Sequence, residues 1–480
     1  MLFQSIEFLI FLPIVFVLYW FVFKRLKYQN MLVLVASYIF YGWWDWRFLI
    51  LIAITSGFSY WSGVLIKRFE DNQKKKKWIS AGNIIINLLI LCAFKYFNFF
   101  VENIVRLFDI FGMKLDWTTV NLILPVGISF YTFQALSYTI DVYRKKIEPT
   151  TDAVAFFAYI SFFPQLVAGP IERSTNLLPQ FQKERIFTFE SGADGLRQML
   201  WGFFKKIVIA DQCAKYVDVV FADYSSQNGS TLLLAVFLFS IQIYADFSGY
   251  SDIAIGTAKL FGIRLMRNFN NPYFSRDIAE FWRRWHISLT TWFRDYVYIP
   301  LGGSRVSKAK IIRNTFIIFL LSGFWHGANW TFIVWGAYHA LLFLPLILIG
   351  KNRKYLENIA ENQLFPNVKE LLQMLLTFVI VAIGWIFFRS ATISDTLAFI
   401  SAMFNPSIIT SVLDVNGLNI NILLVCILIM ALFEWFNRNR DFGLDISKWN
   451  VIMRHLIYYV LIFAVIFYIA ENESFIYFQF

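Results

Sequence analysis

Long apolar runs broken by short polar interruptions dominate the chain. The first part carries them at Ile6–Phe23, Leu32–Tyr41, Phe48–Ile66, Ile79–Phe100, Val120–Ile140 and Ala153–Val167. The second part adds Met199–Phe221, Leu232–Phe261, Ile311–Leu321, Thr331–Ile349, Leu371–Phe388, Ile420–Phe436 and Ile452–Ile469. A helix needs about 20 apolar residues to cross a bilayer, so several runs are too short to cross alone. Those around Ala153, Phe281 and Ile311 are expected to be re-entrant or interfacial. Broken backbone survives at membrane depth only where it is buried or lines a cavity. The pattern predicts an all-α polytopic membrane bundle of about 11 crossings, allowing about 20 residues for each. It reads as one integral-membrane domain over residues 1–480.

Composition agrees with this reading. Hydrophobic residues make up 58% of the chain and charged residues 16%, against roughly 25% charged in soluble domains. Mean hydropathy is +0.56. The first apolar run follows no positive segment, carries Glu7 and precedes no small-residue cleavage site. It is expected to be a retained helix and not a cleaved signal.

The net charge of +11, from 43 basic and 32 acidic residues, fits an excess of Lys and Arg in cytoplasmic loops. No separate basic soluble domain is visible, so no nucleic-acid partner is expected. The runs Lys24–Lys27, Lys74–Lys77 and Tyr143–Lys146 fall on one face when intervening spans are counted as crossings. That face should be cytoplasmic and the N-terminus outside. Cys92, Cys213 and Cys426 form no CxxC pair, and neither a disulfide nor a metal site is expected. No phosphate loop, GxSxG elbow or HExxH is present. This argues against an ATP-driven pump and a zinc protease.

The densest basic segment is Ile263–Asn314, with ten basic residues against Asp277, Glu280 and Asp295. It also carries Trp282, Trp285, Trp292 and Phe293, an aromatic load that a loop made only for topology does not need. It should lie at the cytoplasmic interface or dip into the bundle. Arg283 and Arg284 stand just before His286, a placement suited to an anionic ligand beside an imidazole.

The other outstanding stretch is Leu320–Phe332, "LLSGFWHGANWTF". Intramembrane ionisable groups are costly and are functional candidates by default. Gly323, Gly327 and Ala328 allow close backbone approach or a helix break beside His326. Asn329 and Trp330 add polar edges, and Trp325 stands directly before the histidine. Burial keeps such an imidazole neutral, and a neutral imidazole can act as a general base. His339 lies 13 residues on, a rotation of about 220° on a continuous helix, and reads as packing. His455, beside Arg454 at a helix start, reads as interfacial. Asp246, Ser248 and Tyr250 in "YADFSGYSDIAIG" and Gln165 in "FFPQLVAGPIERS" are polar groups in apolar settings. They either bond inside the bundle or contact substrate.

On these residues the chain resembles the membrane-bound O-acyltransferases, in the branch of the bacterial alginate O-acetyltransferase membrane subunit. The related D-alanyl transfer protein of teichoic acid synthesis is a neighbouring branch. The resemblance runs over nearly the whole chain. It is strongest in Pro125–Arg144, Phe162–Arg173, Tyr244–Gly256, Asn271–Gly303 and Ser322–His339, which place the catalytic core at about 120–340. It implies a helical bundle around a central funnel or tunnel. It maps the family's two histidines onto His286 and His326, with His326 as the catalytic one. The candidate substrate contacts are Trp325, Asn329, Trp282, Arg283, Arg284, Trp285, Asp246, Ser248, Tyr250 and Gln165, of which the resemblance puts Arg283, Arg284 and the aromatics around them on the donor side.

By the same resemblance no cofactor is permanently bound. The acyl donor is acetyl-CoA from the cytosol, with an acyl carrier protein as the alternative source. His326 takes the proton of an acceptor hydroxyl, while His286 or a neighbouring donor stabilises the oxyanion or orients the site. The acceptor is an exported or cell-wall polysaccharide, with final transfer through an extracytoplasmic acetyltransferase or hydrolase-like partner. The expected location is the bacterial cytoplasmic membrane, with the lipid bilayer as permanent partner. Two rival readings are D-alanyl transfer to teichoic acid and a transporter without enzymatic activity. Transporters often carry a two-fold hydropathy repeat, and none is visible here.

Overall fold

Hydrocarbon leaves no water to satisfy an open backbone, so spanning segments must close their hydrogen bonds internally. The described residues of the computed structural model are accordingly helical, without a strand. They comprise residues 1–480 except 116, 118–122, 362, 405–409, 416, 470–474 and 477–480. Among them, six helices are long and apolar enough to cross a membrane: Arg47–Arg68, Gln73–Ile110, Gly229–Leu260, Trp330–Leu348, Val368–Arg389 and Val451–Tyr468. Shorter apolar helices span Ile6–Val22, Ile393–Met403 and Ile420–Phe436. The chain is therefore a polytopic all-α membrane protein. The least buried of these six helices shows the character of such a surface: Ile452, Tyr459, Phe463 and Phe467 on Val451–Tyr468 are exposed, as lipid-facing side chains should be.

The short elements fall where the apolar runs are too brief to cross. Ala153–Ser161 and Ile278–Arg284 are short helices of 9 and 7 residues. The Ile311 region is longer than its apolar run, because the polar turn from Lys308 joins it in one helix, Lys308–His326. The beginning of the run expected from Val120 lies outside the described residues. Its helix is Ile128–Tyr143.

The chain folds as two compact units, Met1–Gly192 with Thr257–Leu265, and Ala193–Gly256 with Met266–Phe480. In the first unit Ile128–Tyr143 is buried on nearly all sides. It packs against Arg47–Arg68 and Gln73–Leu91. Polar groups on these helices satisfy one another: Thr139 Oγ1 donates to Asn83 Oδ1 at 2.9 Å, and Asn83 Nδ2 donates to Ser59 Oγ at 3.3 Å.

In the second unit the central element is the part up to Gly256 of the helix Gly229–Leu260, which is 32 residues long and mostly buried. At 1.5 Å per residue it extends about 48 Å, more than a hydrocarbon core of about 30 Å. Facing it is Phe204–Ala210, a wide-turn π-helical stretch that places Lys205 and Lys206 inside the bundle. Lys206 Nζ reaches Asp211 Oδ1 at 2.7 Å and Asp246 Oδ1 at 3.0 Å. Lys205 Nζ reaches Asp252 Oδ2 at 2.5 Å and Ser248 Oγ at 3.0 Å. Buried charges survive only when paired in this way.

Candidate active site

Lys308–His326 and Trp330–Leu348 form a tight helical hairpin. Glycine makes it possible: a Cβ on Gly323 would strike the Phe332 carbonyl, and one on Gly336 would strike that of Phe319. His326 is the last residue of the first helix, and Gly327 follows in extended conformation. The helix break expected from "GFWHGANW" is present, and it leaves His326 at a helix end.

Both His286 and His326 lie against the indole of Trp325, with ring centroids 5.9 and 4.9 Å away. Trp335 and Phe388 close around His326 edge-to-face, each at 5.2 Å. Phe247 meets the His286 ring edge-on at 4.7 Å. Such contacts contribute about 0.5–1.5 kcal/mol each beyond area burial. His286 and His326 are 1% and 4% exposed, so both imidazoles are shielded from solvent. Burial pushes the His286 ring well below the ordinary histidine range, to about 3, which holds it neutral at physiological pH.

His286 stands immediately before the helix Ile287–Phe293 with φ 43° and ψ 54°. A left-handed conformation costs a non-glycine residue on the order of 1 kcal/mol or more. A backbone clamp holds it: Ile287 N donates to Asn268 O at 2.8 Å, and Asn270 N donates to Arg284 O at 2.9 Å. The side chain of Asn268 also accepts from Ser288 N at 3.3 Å and lies 3.1 Å from His286 Nδ1. Asn268 was missed in the sequence. In "RNFNNPYF" it looks like one loop asparagine among three, and its partner Ser251 is on a distant helix.

The other expected contacts take definite places. Trp285 stacks on Phe281 and packs against Trp385 at 4.9 Å. Trp282 lies edge-on to Phe319, Trp335 and His339. His339 is fully buried in that aromatic cluster, in keeping with a packing role. Arg284 Nη2 pairs with Glu280 Oε1 at 2.8 Å and its Nη1 donates to Asn358 Oδ1 at 3.0 Å. Arg283 donates to the carbonyls of Asn352 and Tyr355. Both arginines thus anchor the 352–358 segment. Asp246 is bonded to Lys206 and to the Ile476 amide, Ser248 to Lys205, and Tyr250 packs on Phe475. Gln165 belongs to the first unit, where its Nε2 donates to the Tyr159 carbonyl at 3.1 Å.

Asn329 caps the second helix of the hairpin. Its Oδ1 accepts from Thr331 N at 3.1 Å and its Nδ2 donates to Ala391 O at 2.9 Å. A cap of this kind contributes about 0.5–2 kcal/mol. Asn329→Ala should therefore lower the thermal midpoint of the detergent-solubilised protein and leave the donor KM unchanged. A KM that rises tenfold with no change in midpoint would instead make Asn329 a substrate contact.

Beside Trp282 lies a cavity of about 570 Å³. Its walls include Ile287, Ile318, Phe319 and Phe343, and Arg283, Arg294 and Arg353 supply positive charge. An apolar slot with cationic groups suits an anionic molecule that carries a slender, less polar arm.

Comparison with known proteins gives this arrangement a family. Residues 144–379 match the model of the MBOAT, membrane-bound O-acyltransferase family. The probable alginate O-acetylase AlgI of Pseudomonas aeruginosa is 40% identical over 439 residues, covering 90% of this chain and 81% of that protein. The peptidoglycan O-acetyltransferase of Helicobacter pylori is 32% identical over 461 residues, covering 91% and 81%. The teichoic acid D-alanyltransferase of Bacillus subtilis is 29% identical over 313 residues, covering 62% and 76%. The chain belongs to the membrane-bound O-acyltransferase family. It is a multi-pass membrane enzyme, an O-acyltransferase.

Proposed function

We propose that this enzyme transfers an acetyl group from a cytosolic thioester, acetyl-CoA, to an extracytoplasmic acceptor for O-acetylation of an exported or cell-wall polysaccharide. The observation that carries the chemistry is the pair of buried histidines, His286 and His326, on one indole in a chain of this family. Neutral imidazoles can supply the proton acceptor and the hydrogen-bond donor that acyl transfer needs. The acceptor hydroxyl attacks the thioester carbonyl, the C–O bond forms and the C–S bond breaks. The hydroxyl proton passes to an imidazole and then to the departing thiolate. The resemblance gives the proton to His326.

The cavity beside Trp282 supports an anionic donor, since the phosphates of CoA would find Arg294 and Arg353 at its walls. The acetyl group rests on the relatives: two of the three compared are named for O-acetyl transfer, at higher identity than the D-alanyltransferase. The positively charged loops support a place in the bacterial cytoplasmic membrane. An extracytoplasmic acetyltransferase or hydrolase-like partner completes the route to the polysaccharide. The test is the alkali-labile acetate on exported glycans from cells with and without the gene. Acetate that disappears with the gene and returns on complementation supports the reading. Equal acetate with alanine lost from teichoic acid would move the enzyme to D-alanyl transfer.

A further inference from the structure

The ends of three helices in the first unit, Arg47–Arg68, Gln73–Leu91 and Ile128–Tyr143, meet beside a small cleft. Lys67, Glu70, Lys76, Lys145 and Glu148 line it, with Ile66 as apolar wall. Three cations thus face two anions, and the pairing is uneven. Lys145 Nζ reaches Glu70 Oε1 at 3.0 Å, and Lys67 Nζ reaches Glu148 Oε2 at 3.7 Å. These four side chains are all more than half exposed, so water serves them as well.

Lys76 differs from them. It lines the cleft and yet is only 2% exposed. Its ammonium makes no hydrogen bond or ion pair among the described residues. Glu70 feels its charge but bonds Lys145. A cation taken out of water needs an anion or several acceptors. The excess positive charge of the cleft therefore rests on its most buried member.

The helix that carries Lys76 also fixes its depth. Trp78, two residues on, is 76% exposed, and indoles settle where bilayer meets water. Ile85 and Leu89 follow, apolar and exposed, as lipid-facing residues are. At 1.5 Å per residue Lys76 stands about 14 Å along the axis from Ile85. The cleft therefore lies at the depth of lipid headgroups, outside the hydrocarbon. The anion that belongs at this depth is the headgroup phosphate of an acidic lipid. A lysine ammonium meets phosphate as a compact point charge, which suits a narrow cleft.

We propose that this cleft binds the phosphate of an anionic lipid headgroup, with Lys76 as its innermost contact and Lys67 and Lys145 at the rim. With one phosphate diester bound, three lysines meet three negative charges. A zwitterionic head would bring its own cation to the rim, where Lys67 and Lys145 repel it. The bound lipid touches the ends of all three helices, so it should stabilise the folded unit by mass action.

The test uses the full chain, stripped of native lipid in detergent, with phosphatidylglycerol, phosphatidylcholine and inorganic phosphate as probes. Phosphatidylglycerol should bind and raise the thermal midpoint, and phosphatidylcholine at the same concentration should do neither. Lys76→Gln should weaken phosphatidylglycerol binding about tenfold or more, the worth of one hydrogen bond to a charged group. Lys74→Gln removes the same charge from an exposed neighbour and should leave binding within about twofold. Equal loss in the two variants would reduce the effect to diffuse attraction and overturn the site. Inorganic phosphate that displaces the lipid at equal concentration would make the ligand a free phosphate and overturn the lipid assignment. Should Lys76→Gln fail to insert, the native protein decides: an equal rise in midpoint with both lipids overturns the proposal.

Discussion

His326→Ala should abolish acyl transfer while the protein still inserts into the membrane at native abundance. The side chain sits at a helix end, ringed by Trp325, Trp335 and Phe388, where its imidazole is shielded from water. Removing a hydrogen-bonding group aimed at developing charge in a dry site costs about 10²–10³ in rate, and removing a general base costs about 10²–10⁴. Either role predicts a fall in kcat of at least about 100-fold. The hairpin should survive, because Gly323 and Gly336 make its close contacts and Asn329 caps its second helix. The check is turnover with labelled donor, beside size-exclusion behaviour in detergent. A fully active His326→Ala enzyme would remove His326 from the chemistry.

Lys206→Ala should be the most damaging single change to stability. Lys206 is 3% exposed, and its ammonium holds Asp211 and Asp246 on two different helical segments. Without it two buried carboxylates lose their common cation. Breaking a buried pair by deleting one partner costs about 3–5 kcal/mol, because the remaining charge has nowhere to go. Asp246 keeps the Ile476 amide at 2.7 Å, which satisfies one oxygen and does not neutralise the charge. The expected result is a protein that is degraded in cells or unfolds far below the native midpoint in detergent. Lys206→Met with Asp246→Asn should recover part of that loss, since the amide needs no counter-charge. A Lys206→Ala protein of native stability would show that this cluster adds nothing to the fold.

Much of this was legible because membrane physics constrains sequence strongly. Runs such as Phe48–Ile66 and Leu371–Phe388 could only be helices, and they lie in Arg47–Arg68 and Val368–Arg389. The glycines around His326 announced both the break and the close packing that the hairpin uses. What the residues could not announce were pairings across the chain. Lys205 and Lys206 sat inside an apolar run, and their partners lie on the Gly229–Leu260 and Ile420–Phe436 helices as well as nearby. Arg283 and Arg284 read as ligand contacts, and nothing in the sequence showed that they also hold the 352–358 segment about 70 positions on. Asn329 read as a polar edge, and its oxygen is a helix cap. Asn268 had no sequence signal, since only the fold brings it to His286 and Ser251.

The central claim is that this chain moves acetyl groups from a thioester. The most direct measurement is transfer of label from radioactive acetyl-CoA in membranes that carry the native protein, with His326→Ala and His286→Ala at matched abundance. Label passing to an extracytoplasmic ester with native protein, and with neither variant, is the predicted result. Native membranes that transfer no label from acetyl-CoA, while transferring it from a carrier-bound acyl thioester, would contradict the claimed donor. Transfer that persists in both histidine variants would contradict the claimed site.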